Sequence, residues 1–361
     1  QCINNNQGFL MEKLVLTGVG LVTPMGIGKE QFWDNIINGA SGIKRLTKFS
    51  TTHETYGGEI SDFNFDVYIS DGRFRRAADI SKYTLVAVNL AISDAGIKTL
   101  HDKDTALVAG ITHGALNYAQ VFHRSLVMEG ANNISPIHFS DSVLNAPAGN
   151  VSIGFGIKGP VHTLVGGATT ALKAVMLASQ MLKIGEVDKA IVVSSDELNE
   201  LSLYCYSRLG INTLSEGSGA LLIEKEGKTT ETTPYCYISS TASQFNPSNP
   251  DIALYDVINQ CLAKANISLK DIDLVMTDSY IPDKLCLNDI PAGCIIPLAG
   301  NAFSLTVMWH IILSSLAIKN GTIPKAIIKN KVLLPDYLRN VLVFSTEECG
   351  IASAIILSKY L

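Results

Sequence analysis

The sequence predicts an α/β fold, and three observations support that prediction. Short apolar runs rich in β-branched residues are typical of buried strands, longer stretches with helical periodicity separate them, and parts of the pattern occur twice. The strand-like runs begin at Lys13, Thr105, Lys189 and Gly219, and the helix-like stretches cover residues 82–95, 170–184, 251–265 and 306–319. Strands that alternate with helices predict a mainly parallel sheet covered by helices.

An internal repeat indicates two related α/β halves. Residues 88–110 and 258–278 share a helix-like stretch that ends at a small residue, followed by an isoleucine, an Asp-x-Asp turn and a strand-like run. Residues 181–193 and 317–329 share a helix, a glycine stop and a strand. Because both pairs follow the same order, the chain is predicted to contain the same supersecondary pattern twice.

The domain boundary is predicted in the polar stretch 226–233. We therefore expect an N-terminal half over residues 11–229 and a C-terminal half over residues 230–361. Residues 1–10 precede Met11, and we expect them to be an upstream tail with little role in the fold.

Composition disfavours several classes of protein. Hydrophobic residues make up 47% of the chain and the formal net charge is −5, so the chain is expected to fold throughout and to offer no basic surface for nucleic acid. No apolar run approaches the roughly 18 residues of a membrane span, and we expect a cytoplasmic protein. Seven cysteines without a Cys-x-x-Cys pair predict reduced, mostly buried thiols, with no metal site and no cofactor.

Three stretches with a specific placement of glycine and proline, residues 15–43, 146–174 and 217–227, resemble the β-ketoacyl-ACP synthases, or ketosynthases, of the thiolase superfamily. The resemblance extends over residues 11–361. It implies the thiolase fold, with two pseudo-symmetric α/β halves in a layered α-β-α-β-α arrangement. That implication agrees with the internal repeat.

The resemblance also implies a catalytic centre whose key side chains are replaced in this sequence. In the family, a cysteine at the N-terminus of a buried helix takes the acyl chain, because the helix dipole and backbone N–H groups favour its thiolate. That position falls on Ala168, which cannot be acylated. The two histidines that stabilise the enolate formed when malonyl-ACP loses carbon dioxide fall on Asp278 and Asn301, and the lysine of the second motif falls on Ile296. Bulky and acidic residues replace the last glycine-rich loop at 345–350.

These replacements lead to the expectation that the chain is not an enzyme. It would be a degenerate ketosynthase subunit, and its complex with an active subunit would be a 3-oxoacyl-ACP synthase. Such a chain resembles the chain-length factor, or ketosynthase beta subunit, of type II polyketide biosynthesis. Many of those factors carry glutamine where this chain has Ala168, which favours the branch that serves polyenes, such as aryl polyenes.

The resemblance implies two partners and two surfaces. The partners are a catalytic β-ketoacyl-ACP synthase subunit, joined as a heterodimer, and an acyl carrier protein bound through that complex. The implied dimer interface is the strand of Val161, His162, Thr163, Leu164 and Val165. The implied acyl tunnel is bordered by a helix that carries Leu116, Tyr118, Ala119, Phe122 and His123, although an ordinary core helix fits the same spacing.

Other reactive side chains receive structural interpretations. Thr169 and Thr170 are expected to cap the helix that follows them, and Cys349, beside two glutamates, is expected to be a passive thiol. His162 fits the interface better than a general base, and His310 fits a hydrogen-bonded core position. The histidines with no nucleophile nearby in the sequence are His113, His123 and His138.

Two other functions stay open. An acyltransferase or thioesterase with a remodelled site on the thiolase fold needs a nucleophile and a base close together in the folded chain. A homodimeric scaffold with no tunnel is the third option. A catalytic ketosynthase encoded beside this chain would favour the chain-length factor over both.

Overall fold

The structure, a computed structural model, describes residues 12–49, 54–98, 100, 103–228 and 232–360. The strands are β1 (Leu14–Thr23), β2 (Gly26–Ile27), β3 (Lys44–Arg45), β4 (Tyr56–Gly57), β5 (Thr105–Ile111), β6 (Val161–Val165), β7 (Lys189–Asp196), β8 (Gly217–Lys225), β9 (Cys236–Phe245), β10 (Leu274–Thr277), β11 (Ala292–Gly293), β12 (Asn340–Glu347) and β13 (Ile351–Lys359). The predicted tail, residues 1–10, and the predicted boundary at residues 229 and 230 lie outside the described residues, so both stay predictions.

The helices lie between these strands. They are α1 (Lys29–Ile37), α2 (Phe65–Tyr68), α3 (Asp79–Asp94), α4 (Leu116–Glu129), α5 (Pro136–Ser142), α6 (Ala146–Phe155), α7 (Thr170–Lys183), α8 (Glu200–Ser207), α9 (Pro250–Ala265), α10 (Ile296–Ala299) and α11 (Ser304–Asn320). The strand-like runs of the sequence correspond to β1, β5, β7 and β8, and the helix-like stretches correspond to α3, α7, α9 and α11. These element predictions are confirmed.

Each half of the chain repeats one strand order. Across the described residues, every strand except β3 and β4 belongs to one continuous sheet, which runs β6-β5-β7-β8-β1 through the N-terminal half and β11-β10-β12-β13-β9 through the C-terminal half. The two orders are the same when β1 is matched with β9 and β5 with β10. Antiparallel pairing of β1 with β9 joins the halves, and the expected pseudo-symmetric pair of α/β halves is confirmed.

The expectation of a mainly parallel sheet is wrong. Among the strands of the described ranges, parallel pairing is confined to β5 with β6 and β7, and to β10 with β11 and β12. β8 runs antiparallel to β1 and β7, and β13 runs antiparallel to β9 and β12. A buried strand has the same apolar composition in either direction, so composition alone does not reveal the direction of its neighbours.

The second repeat is wrong in its last element. Residues Lys325–Ile327 form a short 3₁₀ helix, and the strand that corresponds to β7 is β12. Pro324 precedes this segment and has no N–H group to donate to a strand ladder.

Helices α7 and α11 form the central layer, and α3 and α9 cover the outer faces of the sheet. Every residue of α11 from Ser304 to Ile318 is buried, as expected for a helix that is apolar all round. α11 contacts strands of both halves, including β7, β8, β12 and β13. The layers therefore follow the expected α-β-α-β-α order.

His310 lies in the middle of α11 and is a core histidine, as expected. Its Nε2 accepts a hydrogen bond of 3.1 Å from the backbone N–H of Ile295. Burial lowers the pKa of His310 to about 3, so the ring is neutral near pH 7. Its Nδ1 has no hydrogen-bond partner within the described part of the chain, so the expected hydrogen bonding holds for one ring nitrogen.

Cysteine exposure differs from the prediction of mostly buried thiols. Cys236, Cys261 and Cys294 are buried, whereas Cys205, Cys286 and Cys349 are exposed. The exposed ones lie on α8 and in connecting segments, where a small side chain needs no burial. No helix among the described residues has both the length and the apolar character needed to cross a membrane.

Candidate functional site

The predicted nucleophile position lies in a tight turn between the edge strand β6 and helix α7. The turn passes through Gly166 and Gly167 and places Ala168 and Thr169 at the start of α7. A Cβ atom on Gly167 would lie 2.9 Å from the carboxyl group of Glu347. Glycine at this position lets the end of β12 approach the start of the helix.

Glu347 places a carboxylate on the N-terminus of α7. One oxygen, Oε1, accepts a hydrogen bond of 3.1 Å from the backbone N–H of Thr169 and a very short one from the Thr169 hydroxyl. The ammonium of Lys173, one turn along the helix, lies 3.9 Å from the same oxygen. A helix N-terminus carries partial positive charge, so this position favours an anion. Here the anion is a side chain of the protein.

Neither threonine caps α7 in the expected way. Thr169 occupies the N-cap position but makes no capping hydrogen bond with its side chain, because its hydroxyl donates to Glu347. The Thr170 hydroxyl is buried and has no hydrogen-bond partner in the described ranges. A carboxylate is a stronger acceptor than a hydroxyl, so Glu347 takes the role that a capping threonine would fill.

Asp278, at which the resemblance implies a replaced histidine, lies at the end of β10. It accepts a 3.0 Å hydrogen bond from the Ser279 hydroxyl, which in turn accepts one of 2.9 Å from the backbone N–H of Thr346. Burial raises the pKa of Asp278, although hydrogen bonds from nearby serines oppose the shift. β12 thus contacts the end of β10 through Thr346 and the start of α7 through Glu347.

The other two positions at which the resemblance implies a replacement are Ile296, in α10, and Asn301, just after it. Asn301 holds the start of α11, since its Oδ1 accepts a 2.9 Å hydrogen bond from the backbone N–H of Phe303. Phe303 has a positive φ of 51°, a conformation that costs energy for a bulky residue. Ile296 is the first residue of α10 and adds no polar group. Asn301 therefore fixes the backbone at the start of α11, and neither Asn301 nor Ile296 carries a titratable group.

The structure reveals a polar network that the sequence does not suggest. His113 follows β5, and its Nδ1 lies 2.9 Å from Asp196 at the end of β7, while its Nε2 lies 2.8 Å from the hydroxyl of Tyr206 on α8. The Phe303 ring packs against both His113 and Tyr206, with centroids 5.0 and 4.6 Å away. Asp196 and Tyr206 lie 83 and 93 residues from His113 in the chain, so no local sequence motif predicts these contacts.

Two buried glutamates extend this polar layer. Glu197 accepts hydrogen bonds from the backbone N–H groups of Asn117 at 3.0 Å and Ile80 at 3.3 Å. Burial raises the pKa of Glu197 to about 8, so it is mostly protonated at pH 7. Glu216 pairs with Lys48 at 2.6 Å. Through Asn117, the layer anchors the first turn of α4.

The predicted interface strand β6 lies at the edge of the sheet. It pairs with β5 on one side, and across the described residues no strand pairs with its other side. Val161 is 39% exposed and Val165 is 54% exposed. Further exposed apolar side chains on α4, on α5 and around α6 are Val121, Val127, Met128, Ile137, Phe139, Val143, Leu144 and Ile153.

Helix α4, which carries the predicted tunnel residues, has no buried residue along its described length. An ordinary core helix would be buried, so that alternative does not hold for the described chain. Tyr118 and Phe122 pack against His138 and Phe139 of α5, with ring centroids 5.2 and 5.3 Å apart. The predicted residues Leu116, Tyr118, Ala119 and Phe122 are half-buried, whereas His123 is exposed. Their role at a tunnel stays a prediction.

Sequence relatives give the first comparison with known proteins. The 3-oxoacyl-[acyl-carrier-protein] synthase 2 of Vibrio cholerae serotype O1 is 27% identical over 191 residues, which cover 51% of this chain and 46% of the relative. The protein of the same name from Rhizobium meliloti is 28% identical over 190 residues, covering 49% and 45%. The chain spans about half the length of the curated relatives it matches.

These names correct one expectation. The replaced residues led us to expect that the chain is not an enzyme, but the matching relatives are named as synthases. That expectation is therefore wrong. Differences at a few side chains concern those positions only. They do not by themselves show that a chain has lost the activity of its family.

Solved structures resemble the chain over almost its full length. The structure described as the ishigamide ketosynthase/chain length factor aligns with a TM-score of 0.88 at 18% identity, covering 97% of this chain and 100% of that one. A type II PKS acyl-carrier protein in complex with its ketosynthase bound to the hexaketide includes a chain that aligns with a TM-score of 0.80 at 19% identity and the same coverage. At these identities the likeness establishes the fold, and it confirms the expected thiolase-like architecture.

The family assignment rests on the N-terminal part of the chain. The family described as Beta-ketoacyl synthase, N-terminal domain, matches residues 11–220, which is more than half of the sequence. This match contains the turn with Ala168, the edge strand β6 and helix α4. The chain belongs to the β-ketoacyl synthase family.

Proposed function

We propose that the chain is a chain-length factor, a ketosynthase-family subunit that forms a heterodimer with a β-ketoacyl-ACP synthase and shapes the acyl tunnel of the pair. The 3-oxoacyl-ACP synthase activity belongs to the pair and requires both subunits. The acyl carrier protein is the partner that delivers the growing chain. Type II polyketide or polyene biosynthesis is the process, and alanine at position 168 favours the aryl polyene type.

The observation that carries this proposal is the edge of β6, which no strand of the described chain pairs with, beside an apolar surface. An exposed strand edge flanked by exposed valine, leucine, isoleucine and phenylalanine side chains is typical of an interface with another subunit. The α4 residues adjoin the same surface, because α4 packs on α5, α5 contacts α6, and α6 contacts β6. A partner that extends the sheet through β6 would therefore cover α4 as well, and the α4 side chains could then limit the space for an acyl chain.

The size of the α4 side chains is expected to set product length. Shrinking Leu116, Tyr118 or Phe122 to alanine should lengthen the products, and Ala119→Phe should shorten them, because each change alters the space available to the acyl chain. The measurement is mass spectrometry of ACP-bound products made by the chain co-expressed with a ketosynthase encoded beside it.

The control for this experiment is Leu333→Ala. Leu333 is 93% exposed in the C-terminal half, so its truncation should leave product length unchanged. Unchanged lengths in all four well-folded α4 variants would contradict the tunnel assignment. Failure of the chain to form any complex with the ketosynthase would contradict the chain-length factor itself.

A second candidate is an acyltransferase or thioesterase with a remodelled site, and the contact between Thr169 and Glu347 favours it. In that reaction the Thr169 oxygen attacks the carbonyl of an acyl thioester, a C–O bond forms and the C–S bond breaks. The hydroxyl proton passes through Glu347 to the departing thiolate. Thr169 is fully buried, however, which favours the first proposal.

Intact-mass analysis after incubation with acyl-ACP tests the second candidate. If the second candidate is right, an added acyl group maps to Thr169, disappears in Thr169→Val and decreases in Glu347→Gln. Thr170→Val is the matched control, because the Thr170 hydroxyl adjoins Thr169 and makes no hydrogen bond with any described residue that would activate it. An unmodified mass for the wild-type chain would rule out acylation of this residue.

A further inference from the structure

A cleft lies at the end of helix α7 opposite the candidate site. It has a volume of about 910 Å³ and is formed by the starts of β1, β9 and β12 together with the ends of β13, α7 and α9. Helix α7, with 14 residues, begins at the candidate site and ends at this cleft, so the two places are about 21 Å apart. Both halves of the chain contribute to the cleft, and its apolar floor consists of Leu14, Ile238 and Leu338, which are buried.

The rim of the cleft is strongly basic. The cationic side chains that line it are Lys13, Lys183, Lys264, Arg339 and Lys359. Glu12 is the acidic residue among the lining residues that the structure describes, and it pairs with Lys225 at 2.7 Å. The whole chain has a net charge of −5, so this cleft concentrates charge of the opposite sign.

Lys183 and Lys264 both line this cleft. Each lies in the last turn of its helix, α7 or α9, where the helix dipole favours one cation. Burial lowers the pKa of Lys183, and the charge of Lys264 lowers it further. Among the described residues, no carboxylate lies within 4.0 Å of the Lys183 ammonium, whereas Lys264 donates a 2.9 Å hydrogen bond to the carbonyl of Thr241. The helix dipoles account for the position of each lysine separately. They do not account for two lysines that line one cleft with no carboxylate of the described chain beside the Lys183 ammonium.

We propose that this cleft binds an amphipathic anion, specifically a long-chain carboxylate. The apolar floor would cover the hydrocarbon chain, and the lysines and arginine at the rim would neutralise the head group. The volume is within the range of small-molecule sites. No residue of β6 or α4 lines this cleft, so the proposal does not depend on the proposed function.

Isothermal titration of the full chain with decanoate tests the proposal. We expect saturable binding, with decanol and acetate each at least about tenfold weaker, because decanol lacks the charge and acetate lacks the chain. Equal binding of decanol would show an apolar site without charge recognition, and equal binding of acetate would show a simple anion site. Either result, or no saturable binding of decanoate, would overturn the proposal.

Variants of the cleft residues test whether decanoate binds in this cleft. Lys183→Gln combined with Lys264→Gln should weaken decanoate binding at least about tenfold, and Arg339→Gln, on a separate segment, should weaken it independently. The matched control is Lys158→Gln with Lys331→Gln, two exposed lysines outside the cleft. Circular dichroism reports whether each variant is folded, and Arg339→Gln keeps the test valid if the double variant unfolds. Full affinity in the folded cleft variants would contradict the assignment.

Discussion

Replacing Val165 with aspartate is expected to weaken strongly the proposed pairing of the chain with a ketosynthase partner. Val165 lies at the end of β6, more than half exposed on the free edge of the sheet. Obligate interfaces bury about 2,000 Å² or more, and an unpaired charge inside one costs about 2–5 kcal/mol. We therefore expect at least about a thirtyfold loss of affinity between the subunits, measured by analytical ultracentrifugation of the co-expressed pair.

The matched control is Val67→Asp. Val67 is 71% exposed on α2, and this variant makes the same change of charge on another part of the surface, so the pair should form normally. The isolated Val165→Asp chain should also be more soluble than the wild type, because a charge at a strand edge disfavours association of edges. A pair that forms equally well with aspartate at position 165 would show that β6 is not its interface.

Gly20→Ala is expected to destabilise the fold strongly, although it adds only one methyl group. A Cβ atom on Gly20 of β1 would lie 1.9 Å from the carbonyl oxygen of Ala87 and 2.6 Å from the backbone nitrogen of Ala91, both on α3. These are backbone atoms, so only a shift of the whole helix can relieve the contact. Overpacking a core costs about 1–3 kcal/mol, and a contact this short places the expected loss in unfolding free energy at about 3 kcal/mol or more.

Gly149→Ala provides the comparison. Gly149 lies within α6, and no atom of a neighbouring element in the described chain lies within 4 Å of an added Cβ atom. Alanine is the better helix former, so this variant should gain up to about 1 kcal/mol. Urea unfolding followed by circular dichroism measures both changes. Similar unfolding midpoints for Gly20→Ala and the wild type would show that α3 does not rest on the backbone of β1.

Most long elements could be predicted from the sequence because their own residues carry the signal. α9 places Ala253, Leu254, Val257 and Ile258 on one face, and α11 is apolar on every face; these patterns indicate an outer helix and a central helix. The segment at 325–327 has the apolar composition of a strand, but the preceding proline and its place in the fold make it a 3₁₀ helix. Whether two strands pair parallel or antiparallel also depends on which strands become neighbours in the sheet. The composition of a strand does not predict this.

The sequence likewise predicts one part of the candidate site and not the other. The resemblance placed Ala168 at the start of a buried helix, and the glycines before it agree with the tight turn that the structure contains. The sequence shows Glu347 as an acidic residue in a loop, but it does not show which group that carboxylate binds. Thr169 and Glu347 are 178 residues apart, and their contact exists only because β12 ends beside α7.

By itself, then, the sequence determined the α/β class, the repeated halves and the family resemblance, because each depends on residues close together in the chain or on the order of motifs. The nucleophile position at Ala168 stays a prediction from that resemblance. Only the tertiary structure decided which groups meet: Glu347 on α7, His113 between Asp196 and Tyr206, and five cations around one cleft. Hydrogen bonds and electrostatic interactions act over a few ångströms in space, and distance along the chain does not predict that separation.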